Sequence, residues 1–231
     1  MFIDYSKYPY PRKIRHHVGA NLYFPIEELA VRPNYYPPLF EKIDFTELFL
    51  NGREANVLDV GCGKGKFLLD YASLFPEDNI LGFEVRKLLV EWLQSVIQGE
   101  NIPNANALWY TCVNGFDFLK ENSIDKVFYL FPDPWPKKRQ QNRRLFSIKF
   151  LDDLHRIIKH NGYLYLATDC DYVNEYHLKL LESSNKFEFH KAEPEEWNFP
   201  ITSVNPSSRN AFEILKHTPE PACPKPTTTN L

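Results

Sequence analysis

The chain has 231 residues, of which 43% are hydrophobic and 15% aromatic, and it carries a formal net charge of -3. This composition fits one folded domain with a substantial core and excludes the wholesale basicity of a histone-like or coat protein. Any contact with nucleic acid must therefore come from local basic patches.

Residues 1–50 are rich in Tyr, Pro and basic side chains and weakly periodic, ending in the short amphipathic piece "IDFTELFL". They read as an N-terminal extension packed on the main domain. From Asn56 the pattern alternates. Strands are expected at "NVLDVG", "NILGFEV", "ALWYTCV", "DKVFYLF" and "GYLYLATD". Helices are expected at "KGKFLLDYASLF", "RKLLVEWLQSVIQ", "NRRLFSIKFLDDLHRIIK" (142–159) and "DYVNEYHLKLLESS". Near-continuous apolar strands separated by helices indicate a mostly parallel sheet covered on both faces, an α/β doubly wound Rossmann-like fold. "KFEFHKA" and "RNAFEILKH" lack a crossover helix between them, so they are expected as an antiparallel hairpin at one edge, giving seven strands. The expected division is an extension over 1–50, one domain over 51–217 and a disordered Pro/Thr-rich tail over 218–231.

Cys62, Cys112, Cys170 and Cys223 have neither zinc-ligand nor disulfide spacing and read as free thiols in a reducing cytosol. The seven histidines do not cluster as metal ligands. The start "MFIDYSKYPY" lacks a targeting pattern, and no run approaches bilayer-spanning length. The expectation is a cytoplasmic protein with neither metal nor membrane partner, monomeric or homodimeric.

"YLFPDPWPKKRQQNRR" (129–144) opens as a buried strand, passes through three prolines around Asp133 and Trp135, and ends in Lys137, Lys138, Arg139, Arg143 and Arg144. The prolines stop the strand and restrict the loop, presenting Asp133 rigidly at the strand's carboxyl end. An acid, an aromatic ring and a dense basic cluster together suggest a polyanion-facing active site; a Pro-rich turn into a solvated helix start is the plainer alternative.

"LDVGCGKGKF" (58–67) places Gly61, Gly63 and Gly65 between a strand and a helix, where bare backbone lets a ligand approach. The spacing departs from the dinucleotide fingerprint, which argues against a Rossmann oxidoreductase. Asp59, an acid inside the strand, opposes a pyrophosphate and suits an amine or sulfonium. Glu84 ends the second strand, where a carboxylate can accept from both ribose hydroxyls of an adenosine-containing ligand. Asn114 ends the third, from which an amide could pair with the adenine edge. S-adenosyl-L-methionine fits this order better than NAD.

In that order "LDVGCGKG", "GFEV", "FPDPWPKKR" and "ATD" resemble the bacterial tRNA (guanine-N7)-methyltransferase family of class I S-adenosylmethionine-dependent enzymes. The resemblance implies methyl transfer to N7 of guanosine 46 in the tRNA variable loop. It also implies that Asp59, Gly61, Gly63, Gly65, Glu84, Asn114 and Asp133 line the cofactor pocket. Lys137 and Asp169 would meet the substrate, and Asp133 is the residue most closely tied to catalysis. The family's last substrate motif, a Thr followed by an aromatic and a Glu, corresponds to "PSSRNAFE". Glu213 matches, and Asn210 stands where the Thr is expected unless Ser207 or Ser208 replaces it. Lys138, Arg139, Arg143 and Arg144 suit phosphate oxygens, and "PRKIRHH" offers a second basic contact. A class I methyltransferase of another RNA or a small molecule, and a silent RNA-binding subunit, are the competing readings.

Overall fold

The computed structural model describes residues 3–12, 14, 18–193 and 196–199 in full and residues 211–217 by their backbone. Five strands, β1 (Val57–Val60), β2 (Ile80–Glu84), β3 (Ala105–Trp109), β4 (Ile124–Leu130) and β5 (Ile158–Thr168), run parallel in the order β3-β2-β1-β4-β5. By backbone pairing, β7 (Ala211–His217) lies antiparallel to β5, and β6 (Phe187–Lys191) lies antiparallel to β7.

β1 and β2 are buried at every position, as strands covered on both faces must be. The side chains divide by alternation. Leu58, Val60, Phe83, Val127 and Leu164 form one core with α1 (Phe45–Leu48), α4 (Ile148–Ile157) and α5 (Asp171–Ser184). Val57, Ile80, Ala105, Phe128 and Tyr165 form the other with α2 (Lys66–Leu74) and α3 (Lys87–Gly99). Asp59 and Gly82 are register partners on that second face, directly beneath the loop that enters α2.

Two expected elements are shorter than their sequence pattern. The helix expected over 142–159 begins only at Ile148, where the Ser147 hydroxyl accepts the Phe150 N–H at 3.2 Å. Lys138–Arg143 form a 3-10 turn, and the chain is extended at Arg144 because its guanidinium is drawn back to the proline loop. β3 ends at Trp109 rather than Val113, and Cys112–Asn114 form a 3-10 turn. At that turn the Thr111 hydroxyl donates to Leu22 O at 2.7 Å, so the third strand ends where the N-terminal extension docks.

Residues near the start of the chain meet α3 through Trp92. Tyr5 stacks on Trp92 at 6.2 Å and Tyr10 meets the same ring edge-on at 5.2 Å, while the Trp92 indole donates to Tyr8 O. The basic positions Lys13, Arg15, His16 and His17 and the tail from residue 218 lie outside the described residues.

Gly65 starts α2 in the left-handed region at φ 72°, and a Cβ there would lie 2.5 Å from both Leu93 methyl carbons. Gly65→Ala combines the left-handed cost of a side chain with overpacking against α3. It should lower the unfolding free energy by about 2–4 kcal/mol, read as a lower urea midpoint at unchanged slope. A midpoint equal to the wild type's would mean that the loop relaxes around the methyl group.

Candidate active site

In an open α/β sheet, ligands collect outside the carboxyl ends of the strands where the connections diverge. Here β1 leads to β2 and β3 on one side, and the chain then returns to place β4 on the other. A cavity of about 210 Å³ opens there. Gly61, Glu84, Thr111, Tyr129 and Asp133 contribute to its walls from the ends of β1, β2, β3 and β4, and Leu22 and Tyr23 close it from the extension.

Asp59, one residue before the cavity-lining Val60, is 3% exposed, and its Oδ2 has no hydrogen-bond partner among the described residues. Burial pushes its carboxyl up to about 7, with the Glu84 charge adding to the rise. An orphaned buried carboxylate oxygen is costly unless a donor arrives. Gly61, Gly63 and Gly65 all adopt positive φ in the loop above it, as the sequence spacing requires of a tight turn.

Glu84, 4% exposed, is gripped by Arg86, a residue that the sequence reading overlooked. The Arg86 backbone N–H and Nε donate to Oε1, each at 2.9 Å, and Nη2 donates to Oε2 at 2.8 Å. Three of the carboxylate's roughly four acceptor positions are used, so a pair of ribose hydroxyls requires Arg86 to give up one side-chain bond.

Asn114 has a different task from the adenine contact expected of it. Its Oδ1 accepts the Ile26 N–H at 2.9 Å and its Nδ2 donates to the Tyr36 hydroxyl at 3.0 Å, which in turn donates to Phe24 O at 2.8 Å. The amide is spent on seating the extension, and its neighbour Val113, not Asn114, lines the cavity.

Asp133 stands exposed after β4, and its Oδ2 accepts the Tyr23 hydroxyl at 3.2 Å. It caps no helix, since the following 3-10 turn starts at Lys138 without a side-chain cap. Phe131 and Trp135, two bulky residues on either side of it, hold left-handed φ values of 50° and 44°. Such conformations cost about 1–3 kcal/mol each and persist only where surroundings impose them. Here the Phe131 N–H donates to Ala167 O at 2.7 Å, and Arg144 donates to Pro134 O at 3.0 and 3.2 Å and to Trp135 O at 3.3 Å. The Arg144 guanidinium also lies 4.6 Å from the Tyr176 ring centroid. Arg144 is therefore a brace for the loop rather than the phosphate contact expected from its charge.

Trp135 is buried, edge-on to Tyr23 at 4.8 Å, with the Arg143 guanidinium 5.1 Å from its ring, so it wedges the loop. Lys137, Lys138 and Arg139 are exposed beyond it, and Asp169 is exposed after β5; neither Lys137 nor Asp169 is a cavity wall. Glu213 falls in β7 opposite Leu166, while Asn210, Ser207 and Ser208 lie outside the described residues.

A family model described as "Putative methyltransferase" matches residues 53–218. The tRNA (guanine-N(7)-)-methyltransferase of Streptococcus pneumoniae strain Hungary19A-6 is 33% identical over 168 residues, 72% of this chain and 77% of that protein. The counterpart in strain 70585 is 32% identical over the same shares. The chain belongs to the bacterial tRNA (guanine-N7)-methyltransferase family.

Among solved structures, an aminoglycoside resistance methyltransferase superposes with a TM-score of 0.52 at 17% identity, covering 70% of this chain and 86% of its own. A SAM-dependent O-methyltransferase from Thermotoga maritima gives 0.51 at 17%, covering 74% and 63%. At that identity the likeness concerns the fold, and it agrees with the parallel sheet and flanking helices of this family member.

The brace on the methyltransferase loop is testable without any activity. Arg144→Ala should lower the unfolding free energy by about 2 kcal/mol, the size of hydrogen bonds from a charged donor, and Arg144→Lys should recover little because it lacks the fork. Hydrogen exchange should quicken at the Phe131, Asp133 and Trp135 amides. Unchanged exchange at those three would show that the prolines alone hold the loop.

Proposed function

We propose that this family member transfers a methyl group from S-adenosylmethionine to N7 of a guanosine in tRNA, with guanosine 46 of the variable loop as its target. The observation that carries the reading is a cavity walled by Glu84 and by the exposed, braced carboxylate of Asp133, beside a strand end that holds an unpartnered buried carboxylate oxygen on Asp59, one residue before the cavity-lining Val60. The donor set fits the cofactor: a cationic ammonium answers the orphaned oxygen, and Glu84 answers a ribose. When bound, S-adenosylmethionine supplies a methyl group activated by its sulfonium.

Guanine N7 carries an in-plane lone pair and no proton, so no side chain needs to act as a base to create the nucleophile. The protein's work is orientation. Asp133 accepts from the N1 and N2 donors of guanine, which turns the opposite edge towards the methyl donor. The same carboxylate favours the positive charge that grows on the ring as N7 is alkylated. Lys137, Lys138 and Arg139, with Arg143 over Trp135, take tRNA phosphates, and Asp169 with the Asn210 and Glu213 segment completes the base pocket. Residues 51–217 form the catalytic domain of this proposal, and the extension before them supplies one wall. A tRNA substrate places the reaction in the cytoplasm.

Asp59 gives the cofactor step a pH signature. Its folded pKa lies near 7, above the ordinary 3.8, so between those values the folded protein holds a proton that the unfolded chain has lost. The stability of the free protein then falls as pH rises through that window. A bound cation favours the ionised form, so binding near pH 6 releases a proton, and affinity for S-adenosylmethionine should rise with pH and level off above about 7. Titration calorimetry at several pH values reads both effects, and Asp59→Asn should flatten the profile. A flat wild-type profile would remove Asp59 from the cofactor site.

The direct test is transfer of labelled methyl from S-adenosylmethionine to unmodified tRNA transcripts. Asp133→Ala should lower incorporation by about 100-fold or more, since it removes both base orientation and charge stabilisation. A transcript with adenosine at position 46 should accept no label. Equal labelling of that transcript would move the target elsewhere. No labelling of any transcript, with the cofactor still bound, would leave the silent RNA-binding subunit as the better reading.

A further inference from the structure

We propose that Tyr23, in the N-terminal extension, is a positioning residue of the methyl-transfer site whose hydroxyl fixes the carboxylate of Asp133 for the target base. The inference rests on the function proposed above.

Tyr23 comes from a segment with no local motif, yet its position is fixed from three directions. Leu22 beside it is buried, and its carbonyl accepts from the Thr111 hydroxyl at 2.7 Å. Ile26 N–H donates to Asn114 at 2.9 Å, and Tyr36 ties Phe24 O to the same asparagine. Both anchors follow β3, whereas the Tyr23 ring reaches across the cavity to the loop after β4. There the ring meets Trp135 edge-on, and the hydroxyl donates to Asp133 Oδ2.

This geometry does more than fill space. The ring contact with Trp135 would survive without the oxygen, so packing alone does not explain a tyrosine. Burial, followed by the Asp133 charge, raises the Tyr23 pKa well above its ordinary value, so the group remains a proton donor throughout the physiological range. A carboxylate offers about four acceptor positions on two oxygens, and one bond to Tyr23 leaves room for both guanine donors. Asp133 sits at an exposed loop tip, where the side chain would otherwise sample several rotamers. One fixed hydrogen bond removes that freedom before the base arrives.

Tyr23→Phe keeps the ring and deletes only the hydroxyl. Steady-state methylation of tRNA should show kcat lower by about 10-fold, the size of one hydrogen bond to a charged group. KM for tRNA and the calorimetric Kd for S-adenosylmethionine should stay within about twofold, with the thermal midpoint unchanged. A purely structural wall would instead move the cofactor Kd and the midpoint together, and that result overturns the assignment. A kcat equal to the wild type's, or above it, also overturns it, the latter because Tyr23 would then be competing with guanine for Asp133. A wild type that transfers no methyl overturns the proposed function itself, and an active wild type beside an equally active Tyr23→Phe overturns the role of Tyr23 alone.

Discussion

A loop containing three prolines has few amides to donate and several carbonyls to satisfy, and the fork of Arg144 resolves this by taking the oxygens of Pro134 and Trp135 together. Much of the site follows from that choice. With those two carbonyls held and Phe131 tied to β5, the backbone between them can sustain left-handed conformations at two large residues. The strain fixes the direction in which Asp133 leaves the loop. The chain is extended at Arg144 as its guanidinium turns back, and α4 starts only at Ile148, capped by Ser147. The other partners of Arg144, the rings of Tyr176 and Tyr172, come from α5, so the loop is braced by one of the helices that cover the sheet.

The parts of this architecture that were legible in the sequence are those set by local pattern. The strand runs and the helix Asp171–Ser184 follow from apolar spacing, and the turn into α2 follows from glycines at alternate positions. Asp59 was recognisable as anomalous because an acid inside a buried strand needs a reason. The extension's role was not legible, since the bonds that define it join residues 88 and 110 positions apart and leave no periodic trace. Asn114 and Arg144 were read by residue type at the right place, an amide at a strand end and a cation in a basic cluster. In each case a backbone group nearby had the stronger claim on the side chain. The amphipathic run through Arg143 looked continuous with α4 because helical spacing records which residues face the core, not whether a guanidinium must turn back.

The signs of charge are sorted by depth, and this ordering explains how a chain of net charge -3 can address a polyanion. The innermost carboxylates, Asp59 and Glu84, are both nearly inaccessible, where a charge is weakly screened and a cationic group on a small ligand is strongly favoured. Arg86 already answers Glu84 from within the chain, so Asp59 is the one left in need of a partner. Asp133 lies further out, where a neutral base with several donors suits it better than a full cation does. Lys137, Lys138 and Arg139 lie outermost, exposed on the turn that the loop feeds into. A ligand carrying its positive charge at one end is drawn inward past the rim, whereas a phosphate chain is held at the rim and repelled by the acids behind it. A neutral group crosses between these zones at lower electrostatic cost than a phosphate does.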